Sequence, residues 1–263
     1  MGFTLGLAQT AFPADGSAAN QVRRCAKAAH KRGTTLLAFP ENLMYPHELT
    51  TAELADLAEP LDGPFVGDVR RIAQQYGLWI AFTMSETNAA GAPPFNTAVV
   101  VSDDGMICGT YRKCHLYDAH NVRESDRMSA GSELCAPIRT PFCTLGLGIC
   151  YDLRFPEVAR HLALAGCNVL LYPAAWHNGA NKQLHWKTLL RARAIENECF
   201  VAGICHGAEH YVRTSHVFDP LGNEVVGGED EMLFCDVKTS EVAATRRAMP
   251  VFDHRKPNIY ALS

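Results

Sequence analysis

The stretch LGLGIC at 145–150, followed by YDLRFPEVAR at 151–160, decides how the chain is read. A glycine-punctuated apolar run stops on Cys150 and turns at once into a charged segment, so a buried strand is expected to give way there to a helix. At such a junction a small nucleophilic side chain is held up beside backbone N–H groups, an arrangement suited to covalent catalysis. Cysteine also packs as a small hydrophobe, so Cys150 taken alone can equally be a buried thiol.

Two distant segments bear on that choice. TTLLAFPEN at 34–42 ends an apolar run on Glu41, and an acid at the end of a buried strand costs several kcal/mol unless it is paired or exposed. GTYRKCHLYD at 109–118 places Lys113 in a similar position. Each charge alone can be a solvated loop residue. Together, one acid, one base and one thiol at three strand ends point to a shared site at the edge of a sheet.

These segments, in the forms FPEN, YRKCHLYD and GICYDLRFPE, resemble the Glu, Lys and Cys motifs of the nitrilase superfamily of carbon–nitrogen hydrolases. GLAQT (6–10), PFNTAVVVSDDG (94–105), RESDRMSAG (123–131), YPAAW (172–176), HWKTLLRARAIEN (185–197), SHVFDPLGNEV (215–225) and RRAMPVFDHRKPNIY (246–260) also resemble that family in order and spacing. The resemblance implies an α/β fold of four αββα layers with mixed sheets covered by helices, paired into homodimers through helices and the C-terminal tail. It also implies a cysteine-dependent amidase acting through a thioester on a small-molecule amide.

The chemistry gives each residue a role. A free thiol is only a few per cent thiolate at pH 7 and needs a neighbouring base, for which Glu41 is the candidate. The oxyanion formed on attack needs donors, for which Lys113 and the N–H of Tyr151 are the candidates. In the family a second glutamate shapes the site, and its place in RESDRMSAG is Glu124.

Substrate choice rests on finer features. HLYDA, RES, CYDLRFPE and the PAAW and HW segments most resemble bacterial deaminated glutathione amidases, which cleave the γ-amide of a glutathione whose amino group has become a keto group. Trp176, Arg154 and Lys182 are the expected substrate contacts, with Arg154 meeting the carboxylate of an α-keto acid; pairing with Asp152 or Glu157 is the alternative for Arg154. HNGANKQL at 177–184 departs from the pattern, with Ala180 where a proline is usual. The other enzyme readings are an omega-amidase acting on 2-oxoglutaramate or a small aliphatic amidase, and a reading of another class is a non-catalytic thiol sensor.

Bulk properties agree with an enzyme of this kind. A chain of 263 residues fits one domain, here residues 1–263, and no repeat or linker divides it. A formal net charge of −4 disfavours nucleic acid or an anionic membrane as partner. No uncharged run approaches the roughly 20 residues needed to cross a bilayer, and MGFTLGLAQT lacks a signal pattern, so a cytoplasmic protein is expected. The ten cysteines, among them Cys25, Cys108, Cys143, Cys167, Cys199, Cys205 and Cys235, are expected to be reduced core thiols. No metal-ligand spacing is present, and neither metal nor cofactor is expected; His115 and His185 are given supporting roles at most.

Overall fold

Successive residues of the central strands are buried on opposite faces, which requires cover on both sides of each sheet. The computed structural model describes residues 2–13, 16–45 and 49–259. Its first half runs β1 (Gly2–Ala8), α1 (Ala18–Lys31), β2 (Leu36–Ala38), α2 (Thr51–Leu57), α3 (Pro64–Tyr76), β3 (Trp79–Glu86), β4 (Phe95–Val101) and β5 (Ile107–Arg112). A two-stranded ribbon, β6 (Asp118–Ala119) and β7 (Val122–Arg123), leads to β8 (Ile138–Arg139) and β9 (Thr144–Leu147). Then come α4 (Pro156–Leu164), β10 (Val169–Ala174), α5 (Lys182–Asn197), β11 (Phe200–Cys205), β12 (Ser215–Phe218), β13 (Glu224–Gly228), β14 (Met232–Lys238) and α6 (Thr239–Ala248).

Two six-stranded sheets result, with orders β14-β1-β2-β3-β4-β5 and β13-β12-β11-β10-β9-β8. Each has three parallel strands at its centre, an antiparallel pair on one side and a single antiparallel strand on the other. The halves therefore share a topology that the sequence, with no visible repeat, conceals.

In the first sheet Leu36, Trp79 and Val100 face the second sheet, and Leu37, Ile80 and Val99 pack under α1 and α3. In the second, Leu145, Leu147 and Leu171 are buried, and α4 and α5 cover the far face with Val158, Leu162, Trp186 and Leu190. Helix, sheet, sheet, helix is the expected four-layer sandwich. The glycines of LGLGIC serve close packing: a Cβ on Gly146 would stand 2.8 Å from Leu170, and one on Gly148 would stand 2.5 Å from the Tyr172 ring.

An Asp-Gly turn at 104–105 joins β4 to β5, where Gly105 takes a φ of +77°. The strand MLFCDVK and the helix after it were not anticipated. As β14 this strand lies at a sheet edge, where a mixed pattern with Asp236 and Lys238 exposed is tolerated and the alternation is weak. Among the described residues no helix is long and apolar enough to cross a membrane. Tyr260, the end of the tail motif, lies outside the described residues.

Candidate active site

Three strand ends converge as the residue types demanded. Glu41 follows β2, Lys113 follows β5 and Cys150 follows β9, so the first sheet supplies the charges and the second the thiol. Cys150 opens a 3-10 turn, Cys150–Arg154, with a φ of +47°. A left-handed backbone on a residue with a Cβ costs on the order of 1–3 kcal/mol and persists only where its surroundings fix it. Here the N–H of Ile149 donates to Asp152 Oδ2 at 2.8 Å, and the N–H of Gly148 donates to the carbonyl of Leu171 at 3.1 Å. Tyr151 lines the pocket, and its N–H belongs to the first turn, whose donors have no partner within the helix.

The floor is a largely buried ion network. Glu41 and Lys113 are 3% and 2% exposed. Glu41 Oε1 accepts from Lys113 Nζ at 2.8 Å and from Asn96 Nδ2 at 2.7 Å, while Oε2 accepts the N–H of Ala175 at 2.7 Å. The Cys150 thiol is a further hydrogen-bond partner of Glu41. Lys113 also donates to Glu124 Oε1 and Oε2 at 3.0 and 2.9 Å, and Glu124 Oε2 accepts the N–H of Tyr117 at 2.7 Å. All four residues foreseen for the chemistry meet here, and two sources of support were missed: Asn96, whose motif was noticed without a role, and the backbone of Ala175.

Protonation follows from this packing. Burial alone would raise the Glu41 carboxyl, but the Lys113 charge and the hydrogen bonds from Lys113, Ala175 and Cys150 together hold it below the ordinary carboxylate range. Burial, reinforced by the negative charge of Glu41, pushes the Cys150 thiol well up. Burial would lower the Lys113 ammonium, yet Glu124 and Glu41 together carry it well above its ordinary value. The resting floor thus holds two carboxylates, an ammonium and a neutral thiol beside an ionised base.

A pocket open to solvent stands over this floor. Arg154, Trp176 and Lys182 all line it, with Tyr117, His177 and Arg127. The Arg154 guanidinium lies 4.7 Å from the Trp176 ring centroid, and among the described residues it forms no ion pair with Asp152 or Glu157. Lys182 Nζ donates to the Tyr117 hydroxyl at 3.1 Å. His177 replaces nothing foreseen from sequence; burial lowers its imidazole below the ordinary value, which leaves a neutral ring on the wall. Of the two histidines considered, His185 is exposed and His115 bonds to buried Asp152.

One expectation needs correction. The ten cysteines are free thiols, but they are not all in the core: Cys108 is exposed and Cys114 and Cys235 are half-buried. Strand β5 has a partly solvated face, and its alternation carries Cys108 outward.

The carbon-nitrogen hydrolase family profile matches residues 6–247. The chain is 34% identical over 225 residues to the deaminated glutathione amidase of Rattus norvegicus, covering 80% of this chain and 68% of the relative. It is 31% identical over 230 residues to the protein of that name from Escherichia coli O157:H7, covering 87% of each. Among solved structures, the NitFhit protein of C. elegans superposes with a TM-score of 0.89 at 31% identity, covering 99% of this chain and 66% of that one.

Proposed function

Because the chain belongs to the carbon-nitrogen hydrolase family, and so is a hydrolase of non-peptide carbon–nitrogen bonds acting on a small-molecule amide, we propose that it works through a Cys150 thioester. The observation that carries this reading is the meeting of Cys150, Glu41, Lys113 and Glu124 in one pocket, with Lys113 bonded to both carboxylates.

The amide carbonyl enters above Cys150. As sulfur attacks carbon, Glu41 takes the thiol proton, and the new oxyanion is met by Lys113 Nζ and the N–H of Tyr151. Lys113 Nζ, bonded at rest to Glu41 and to both Glu124 oxygens, turns one N–H from Glu124 to the oxyanion. Glu41 then passes its proton to the departing amine, leaving the thioester. Water follows, again with Glu41 as base, and the acid departs with the thiol restored. Glu124 holds the ammonium and orients the amide nitrogen.

We further propose the γ-amide of deaminated glutathione as substrate. The relatives' names support this, as does a rim in which Arg154 and Lys182 present two cations, one for the α-keto acid carboxylate and one for the far end of a longer molecule. The test is kcat/KM on deaminated glutathione, 2-oxoglutaramate and butyramide, with Cys150→Ala alongside. A wild type that prefers butyramide would overturn the keto-acid assignment, and an active alanine variant would overturn the thioester.

A further inference from the structure

Asp152 is fully buried and places a carboxylate at the seam between the two sheets. It accepts four hydrogen bonds. Oδ2 receives the N–H of Ile149 at 2.8 Å and the hydroxyl of Tyr111 at 2.9 Å. Oδ1 receives the N–H of His115 at 3.2 Å and its Nδ1 at 2.7 Å. A carboxylate offers only acceptors, so the His115 hydrogen sits on Nδ1. The Tyr111 hydroxyl accepts in turn from the N–H of Cys114 at 3.2 Å, and the His115 ring stacks on Phe155 with centroids 3.7 Å apart.

The donors come from a telling set of places. Ile149 directly precedes Cys150, and Tyr111 and His115 stand two residues to either side of Lys113. One carboxylate therefore ties the strained turn of the second sheet to both shoulders of the Lys113 segment of the first. A buried charge is costly and gives little net stability over an apolar replacement, even when well bonded, so folding alone does not call for one here. Catalysis does, because thiol, carboxylate and ammonium arrive on different sheets, and a misplacement of about 1 Å costs about a hundredfold in rate.

We propose that Asp152 is the positioning residue of this site, clamping the Cys150 turn against the Lys113 segment so that the thiol stays in reach of Glu41. It touches no substrate and acts through Ile149, Tyr111 and His115. This rests on the reading of Cys150 as nucleophile.

The experiment uses the full chain bearing Asp152→Asn, which keeps the shape but sets an amide N–H₂ against a donor. Its kcat should fall roughly ten- to a hundredfold while KM stays within about threefold. The distinguishing readout is alkylation of the Cys150 peptide by iodoacetamide as a function of pH. In the wild type the rate should be nearly level through neutral pH, because Glu41 takes the proton; Lys113 and Glu124, which also face the thiol, are unchanged in the variant. In Asp152→Asn the rate should climb about tenfold per pH unit, as for an isolated thiol. Tyr111→Phe and His115→Gln, each removing one side-chain bond, should shift the same profile by less, and they carry the test if Asp152→Asn does not fold. A wild-type pH profile in these variants, with kcat unchanged or reduced only in step with the folded fraction, overturns the clamp. An active Cys150→Ala would instead overturn the nucleophile reading, and an inactive one beside a normal Asp152→Asn would remove the clamp alone.

Discussion

The floor and the rim of the pocket are built on opposite terms. In the floor Glu41 and Lys113 are buried and answered, Glu41 by Lys113, Asn96 and Ala175, and Lys113 by Glu41 and the half-buried Glu124. At the rim Arg154 and Lys182 are half-buried and lean on the faces of Trp176 and Tyr117. Buried ions survive only where the partners are over-determined, so the floor has little freedom to vary without losing both stability and chemistry. Ring faces hold a cation with less directionality, leaving the rim free to meet different substrates. The floor accordingly carries the reaction, and the rim carries the choice of amide.

The sharpest way to break this division is at the thiol. Cys150→Ala should lower kcat/KM by at least about ten-thousandfold while a thermal melt moves little, since a methyl group replaces one small buried group. Alkylation must be read at the Cys150 peptide, because exposed Cys108 will react on its own terms.

Next in size are the ions. Glu41→Gln and Lys113→Ala should each reduce kcat by about a hundred- to a thousandfold, and the double variant should lose far less than the product of the two. Lys113→Ala should also cost about 3–5 kcal/mol of stability by leaving buried Glu41 and half-buried Glu124 without their cation. Independent, multiplying losses in steady-state kinetics would mean the floor is not one unit. Glu124→Gln should impair kcat as well, and unchanged kinetics would remove Glu124 from the site.

The rim should answer selectively. Arg154→Met should cost about tenfold or more in kcat/KM for an α-keto acid amide and little for butyramide. Equal losses on both substrates would make Arg154 structural.

The smallest effect is one of pH. Glu41 is held below its ordinary value of 4.5, so its contribution is present above that pH and is lost only as pH falls through the lower folded value. Lys113 is raised above 10.5, so its contribution is complete below that pH and fades only as pH rises through the higher folded value. Activity and melting temperature should stay level between about pH 5 and 9. An acid limb of kcat/KM near neutrality would show that Glu41 is not the ionised base.

The strand ends that carry Glu41, Lys113 and Cys150 were legible because chemistry and burial conflict there: an acid or a base closing an apolar run demands a partner. What the sequence hid lacks such a conflict. Asn96 lies inside an ordinary buried strand, Ala175 contributes only its backbone, and Asp152 looks like one of several charges after the nucleophile. The strand β14 was obscured by its place at a sheet edge, and the shared topology of the two halves survives in the order of their strands with no repeat of residues.

An acyl group carried on Cys150 can be tested by partition. 2-Oxoglutaramate and deaminated glutathione yield the same acyl group but release different amines, so a shared thioester must forget which amine has left. With hydroxylamine added, the ratio of hydroxamate to free acid should be identical for the two substrates at each hydroxylamine concentration, and Cys150→Ala should form neither product. A ratio that depends on the departed amine, or hydroxamate formed by the alanine variant, would contradict the account.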